Sequence, residues 1–304
     1  MTDVKVVDAT RAVVVKPIKA KKPFPVRELV VALIILACLV PLLFTFATSP
    51  ELDWNAVGEY LFAGLILEGV VITIVLSVVP MAIGGLLAVV IVLFSFSGMR
   101  TLRLVAHGYI WIFRAIPLLV QLIFWFNLGL VIPTITVGIP WTDFNVTYLT
   151  NALISGLMAA LLGLTLHETA VIAEIYRGGI TGVSIGQMEA AQAMGLTRSS
   201  AIRRIVFPQA IRSVVPALGN VFIGLLKATS LVSVIGAGDL LTNTQRIYAG
   251  NFEVIPLLIV ATLWYMLLTA VFSLGQAWLE KWMDSTKTKV ADAKVKTLQV
   301  TEVA

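Results

Sequence analysis

Six long apolar runs divide the chain, at about residues 29–47, 65–95, 110–132, 149–175, 213–238 and 254–280. A helix needs about 20 mostly apolar residues to cross a hydrocarbon core, and each run comes close to that or exceeds it. The runs at 65–95 and 149–175 are long enough to predict tilt, or a start in the interface. The run at 213–238 contains Lys227 with Gly224, Gly236 and Gly238, which predicts a kinked or broken helix. The expected fold class is an all-α integral membrane protein with about six transmembrane helices.

Charge then assigns the sides. With both termini in the cytoplasm, the inner segments 1–28, 96–109, 176–212 and 281–304 hold 7, 2, 5 and 5 of the 22 Lys and Arg residues. The outer loops are acidic instead, with Glu51, Asp53, Glu59, Asp143 and Glu253. Such a bias marks the cytoplasmic side, so N-in, C-in is the expected topology. Composition agrees with a membrane class: 13% of residues are charged and 59% hydrophobic, against about 25% charged in soluble domains. The basic N-terminal segment 1–28 is too long for the leading part of a cleavable signal. It and the basic tail 283–304 are expected at the anionic inner leaflet, and nucleic acid is not expected as a partner.

Catalytic chemistry has little to stand on. Cys38 is the sole cysteine, and His107 and His167 are far apart, so neither a disulfide framework nor a metal site is expected. There is no glycine-lysine phosphate loop, no HExxH and no Ser/His/Asp cluster. No strand pattern hosts the glycine pairs as a dinucleotide site. No catalytic residue is expected.

One polar stretch interrupts the apolar pattern: "EAAQAMGLTRSSAIRRIVFP", residues 189–208. It predicts two short helices, about 184–194 and 198–207. Gly195 suits a helix C-terminus that needs a left-handed residue. Thr197 suits an N-cap, and Pro208 is expected to stop the second helix. Two readings follow. The segment is a surface helix whose arginines meet anionic lipid, or it docks a soluble partner that approaches closely over Ala190, Ala191 and Gly195.

Glu189-Ala190-Ala191, three residues, Gly195, nine residues and then Ile205-Val206-Phe207-Pro208 resembles the EAA loop of ABC-importer permeases. Phe207 stands where that family more often has leucine. "FRAIPLLVQL" (113–122), "AEIYRGGI" (173–180), "GQMEAAQAMGL" (186–196) and "LLKATSLVSVIGAGDL" (225–240) are similar to the polar amino acid permeases, the histidine/glutamine/glutamate permease-like group. The likeness covers about residues 60–280. It departs at Ala115-Ile116-Pro117, often Gly-Thr-Pro in the family, and at Ala170-Val171, often Ala-Tyr.

The resemblance implies a five-helix type I ABC-importer permease core over 60–280, with a coupling loop at 178–212. The helix at 29–47 is then a peripheral addition. It implies a multi-pass subunit of the bacterial cytoplasmic membrane that translocates a polar amino acid. The implied partners are a cytoplasmic ABC ATPase dimer, a second permease subunit (identical or homologous) and an extracytoplasmic solute-binding protein. No cofactor is bound by this chain, and ATP and Mg sit on the partner ATPase. Glu189, Ala190, Ala191, Gly195 and Pro208 are the implied coupling residues.

Ionisable groups within spans are costly and are functional candidates by default. By depth, Glu68 belongs near the outer interface and Arg114 near the inner end, while Glu174 and Arg177 are spaced to pair on one helix face. His167 and Glu168 lie deep in the fourth run, and Lys227, Thr229 and Ser230 in the fifth. Gln121, in the third, is a further polar candidate or a tie between helices. Two readings stand for Glu168. It pairs with Lys227, or it lines a substrate cavity and receives an ammonium while groups near 229–233 bind a carboxylate. A proton-coupled secondary amino acid transporter, working through Glu168, is the alternative function. That reading leaves 189–208 unexplained.

Overall fold

The computed structural model describes residues 26–49, 52–138 and 145–301. Residues 1–25 of the N-terminal basic tail, Glu51 and Asp143 of the outer loops, and residues 302–304 of the C-terminal tail lie outside the described residues. The chain divides into two units, 1–52 and 53–304. The first contains one helix, α1 (Val26–Ala47), with Pro41 inside it. From Leu29 onward it is apolar around its circumference, as a lipid-facing span requires.

The second unit begins with α2 (Trp54–Tyr60), capped by Asp53, whose carboxylate accepts from the Asn55 amide at 2.8 Å. Next come α3 (Gly64–Ser95), α4 (Arg100–Ala115), α5 (Leu118–Phe126) and α6 (Leu128–Val131). Strands β1 (Thr134–Gly138) and β2 (Asn145–Leu149) pair antiparallel, with Thr136 opposite Thr147. Helices α7 (Thr150–Leu153), α8 (Gly156–Thr181), α9 (Ile185–Ala193) and α10 (Arg198–Ala201) follow. A π-helical turn at Ile202–Val206 leads into α11 (Phe207–Ala228), which tightens into a 3-10 segment at Thr229–Ile235. The unit ends with α12 (Leu240–Asn251) and α13 (Val254–Thr301). Among the described residues, five helices are long and apolar enough to cross a membrane, or up to six if the bent pair α4–α5 counts as one.

Four features differ from the sequence expectations. The third run is not one straight span: α4 and α5 meet at 98°. Pro117 forces this, because it lacks an amide hydrogen and holds Ile116 extended, with ψ 127°. The β1–β2 hairpin was not expected; β-branched residues at Thr134, Ile135, Thr136, Val146 and Thr147 favour it. Residues 284–301, expected as part of a separate tail, continue α13. Pro208 does not stop its helix, for a reason that the site makes plain below. The predicted break in the fifth run is present: α geometry ends at Ala228, and Gly236 is left-handed with φ 65°.

Close helix approach through small residues holds the spans together, as expected where lipid is as apolar as leucine. A Cβ on Gly84 of α3 would stand 3.2 Å from the Thr169 amide of α8, and one on Gly156 would stand 2.6 Å from the Ile235 carbonyl oxygen. Leu76, Leu122, Leu164, Leu225 and Val232 then join α3, α5, α8, α11 and the 3-10 segment in one buried cluster.

Candidate functional site

The polar stretch builds a jointed lever. Helix α9 ends in a Schellman motif: the Leu196 amide donates to the Ala191 carbonyl at 3.1 Å and the Gly195 amide to the Gln192 carbonyl at 2.9 Å. Gly195 takes φ 80°, which favours glycine. Thr197 Oγ1 then accepts from the Ser200 amide at 3.4 Å and starts α10, as its position in the sequence predicts. From Arg198 to Ile235 the chain is continuously helical, passing from α10 through the π turn and α11 into the 3-10 segment.

Pro208 explains the π turn. A proline inside an α-helix lacks one amide donor and pushes on the carbonyl four residues back. Here the Phe207 amide donates to the Ile202 carbonyl, five residues back. The wider turn makes room for the ring, so the helix passes through Pro208 without breaking.

On the lever, Glu189, Ala190, Gly195 and Pro208 are exposed, while Ala191 is buried. Ala191 therefore does not meet an outside surface. It is small because α9 packs on the following turn over Ala201 and Val206, also buried. Ile185 and Met194 stand in the open, Met194 at 85% exposure. An apolar tip of this kind is unusual unless something covers it.

The six in-span candidates form three separate sets of contacts. Gln121 and His167 meet at the α4–α5 bend. Gln121 Nε2 donates to the carbonyls of Phe113 at 2.9 Å and Ile116 at 2.8 Å, and lies 3.1 Å from His167 Nδ1. Two of those partners are carbonyls that the bend leaves without helical donors. Gln121 is thus the tie that closes the bend.

Glu168 is 5% exposed and faces α3, with its Cβ 3.4 Å from where a Gly84 Cβ would stand. Its Oε2 has no partner among the described residues. Lys227 is exposed in the last turn of α11 and forms no ion pair with Glu168. The paired reading is therefore set aside. The geometry explains it: α11 turns Leu225 and Leu226 inward, which carries Lys227 outward. Thr229 Oγ1 donates to the Leu226 carbonyl at 2.7 Å and Ser230 Oγ to the Lys227 carbonyl at 2.8 Å. Both hydroxyls tie down the change from α to 3-10 geometry: their O–H donors are spent on the backbone, and Thr229 is fully buried.

Nearer the helix ends, Arg177 holds Glu174 through two hydrogen bonds, at 3.1 and 2.5 Å, as their spacing predicts. Arg114 adds a contact to the same carboxylate at 3.9 Å. No group of three or more His, Cys, Asp and Glu side chains is placed to hold a metal among the described residues.

Sequence reasoning missed a buried polar knot between α3 and α12. Asp239 is fully buried and accepts from the Leu241 amide at 3.0 Å and from the Thr242 hydroxyl. Thr73 Oγ1 accepts from the Leu240 amide at 3.1 Å, and Asn243 Nδ2 donates to the Leu65 carbonyl at 2.9 Å. The signal was present: Asp before Leu-Leu-Thr is an N-cap pattern.

The family model described as "Binding-protein-dependent transport system inner membrane component" matches residues 81–285, and the chain belongs to that family. The arginine transport system permease protein ArgU of Corynebacterium glutamicum is 35% identical, over 92% of this chain and 87% of that protein. The probable glutamine ABC transporter permease protein GlnM of Bacillus subtilis is 31% identical, over 72% of this chain and 94% of that protein. A solved amino acid ABC transporter with histidines matches with a TM-score of 0.66 at 32% identity, over 76% of this chain and 98% of that one. The fold is that of an ABC-importer permease subunit, a multi-pass membrane component.

Proposed function

We propose that this subunit carries a polar amino acid into the cell, with both termini in the cytoplasm, and that the lever α9–α10–α11 couples it to a cytoplasmic ATPase dimer. One observation carries the reading: a short helix with an exposed tip is fixed by a Schellman joint to a continuously helical segment from Arg198 to Ile235. The segment ends against α8, where Leu225, Val232 and Ile235 pack with Leu164, one turn from Glu168. A push on α9 therefore reaches the part of α8 that carries the buried carboxyl. Flexible loops absorb such a push; a hydrogen-bonded joint transmits it.

In this scheme ATP and Mg are held by the ATPase, and hydrolysis occurs there. Glu189, Ala190, Gly195 and Pro208 serve the docking lever, and Ala191 packs its interior. A second permease subunit completes the path, and an extracytoplasmic solute-binding protein delivers the substrate to the acidic outer loops. ATP-driven closure of the ATPases rocks the two permeases between outward and inward openings. Glu168 is the candidate acceptor for the substrate ammonium. The relatives named for arginine and glutamine support the substrate class.

The test is purification of the tagged full chain from its host, with and without Gly195→Asp. No atom stands within 4 Å of a Cβ at Gly195, but its φ of 80° strains any other residue, so the variant disturbs the joint as well as the face it presents. The expected outcome is loss of a co-purifying ATPase and of ATP-driven uptake, with the spans still folded. Uptake at the unmodified rate would sink the docking reading. The partnerless Oε2 of buried Glu168 is what favours proton coupling instead, and uptake by the chain alone, without ATP, would establish that alternative.

A further inference from the structure

Helix α4 is built in three sectors. Ala106 and Ile110 are buried, and the Tyr109 hydroxyl donates to the Leu166 carbonyl of α8 at 2.7 Å. That side fixes the helix to the protein. Arg100, Arg103, His107 and Arg114 recur at spacings of three, four and seven, so they share a second face. All four are exposed. Leu104 and Trp111, seven residues apart, lie beside that face at 74% and 72% exposure. Arg100, Arg103, Leu104 and His107 border a shallow hollow of 440 Å³.

Arg114, at the far end of the face, meets Glu174 of α8 at 3.9 Å, but the N-terminal half of the face has no such internal explanation. Arg100 and Arg103 make no ion pair among the described residues, and the first turn has no acidic residue. Positive charge there opposes the helix dipole, whose positive end is at the N-terminus. His107 Nδ1 donates to the Arg103 carbonyl at 2.7 Å, so that ring is oriented by the backbone. An external anion is what the two guanidiniums lack.

The bend supplies the geometry. Helix α5 packs along α8, with Leu122 3.0 Å from where a Gly163 Cβ would stand, and α4 turns from it by 98°. If α5 follows the spans, α4 lies near the membrane plane. A helix in that plane, with basic residues beside exposed leucine and tryptophan, matches the boundary between headgroups and acyl chains. We propose that the Arg100–Arg103–His107 face of α4 binds the phosphate headgroup of an anionic phospholipid, with Leu104 and Trp111 seated among its acyl chains. This rests on the inward placement of 96–109, and not on the substrate.

The full chain, with whatever subunits purify with it, would be reconstituted in mixed bilayers of phosphatidylglycerol and phosphatidylcholine. A fluorophore on Leu104→Cys, in a Cys38→Ser background, would report quenching by the brominated form of each lipid in turn. The wild-type charges should give a preference for phosphatidylglycerol. Arg100→Gln with Arg103→Gln should reduce it by up to about 30-fold, from about tenfold per 1.4 kcal/mol and the usual contribution of a basic residue at an anionic surface. Arg100→Lys with Arg103→Lys should keep it, and so separates lost charge from lost fold. An unchanged preference in the glutamine variant overturns the proposal. So does a probe that neither lipid quenches.

Discussion

Replacing Glu168 by glutamine removes a charge from a buried site with almost no change in shape. The carboxyl is 5% exposed, one of its oxygens has no partner, and Lys227 does not reach it. Breaking a buried ion pair usually costs about 3–5 kcal/mol. Removing an acid that has no such pair should cost nothing of that size, and relief of a partnerless oxygen is favourable by about 1–3 kcal/mol at most. Glu168→Gln is therefore expected to unfold at a temperature equal to or above the parent in the same detergent. Transport should respond in the opposite direction. A hydrogen bond to a charged ammonium contributes about 1.5–3 kcal/mol, so the KM for ATP-driven uptake should rise about 10- to 150-fold. Thermal unfolding and proteoliposome uptake, measured on one preparation, separate the two effects. A fall in stability of about 3 kcal/mol or more would mean that the carboxyl has a partner after all. An unchanged KM with normal stability would take Glu168 off the substrate path.

Two further perturbations test the frame around the site. A Cβ on Gly69 would stand 2.8 Å from the Leu240 Cα and 3.1 Å from the Asp239 oxygen, both backbone atoms, so Gly69→Ala must push α12 from α3. A loss of about 1–3 kcal/mol is expected in thermal or denaturant unfolding, and no loss would show that the knot yields freely. Pro208→Ala removes the reason for the π turn at Ile202–Val206. A return to regular α geometry turns α10 by about 100° relative to α11. ATP-driven uptake should fall although stability stays within about 1 kcal/mol of the parent, and normal uptake would show that the lever's angle is immaterial.

The elements that sequence reasoning found are those whose cause is local. Apolar runs gave the spans because lipid tolerates little else. Gly195 and Thr197 were legible because left-handed backbone and capping hydroxyls act within a few residues. The bend at Pro117 was written in the sequence too, but the apolar residues on both sides hid it in one continuous run. Pro208 was misread for a related reason. Its effect was absorbed by the five residues before it, and single-residue rules treat a proline as a stop. What stayed out of reach depended on pairs distant along the chain. Leu240 with Thr73, Gln121 with His167 and the absence of a Glu168–Lys227 contact depend on how the helices rotate against one another.

The joint at Gly195 is made by main-chain groups, with one glycine as the only side-chain requirement. A hinge assembled this way keeps its angle while the residues outside it drift. Under the proposed coupling, the exposed tip at Ile185, Glu189 and Met194 is then free to be recut to fit a different motor subunit, one substitution at a time, with no change in the angle of the joint. Gene duplication can in this way hand an old permease a new engine, or let several permeases share one.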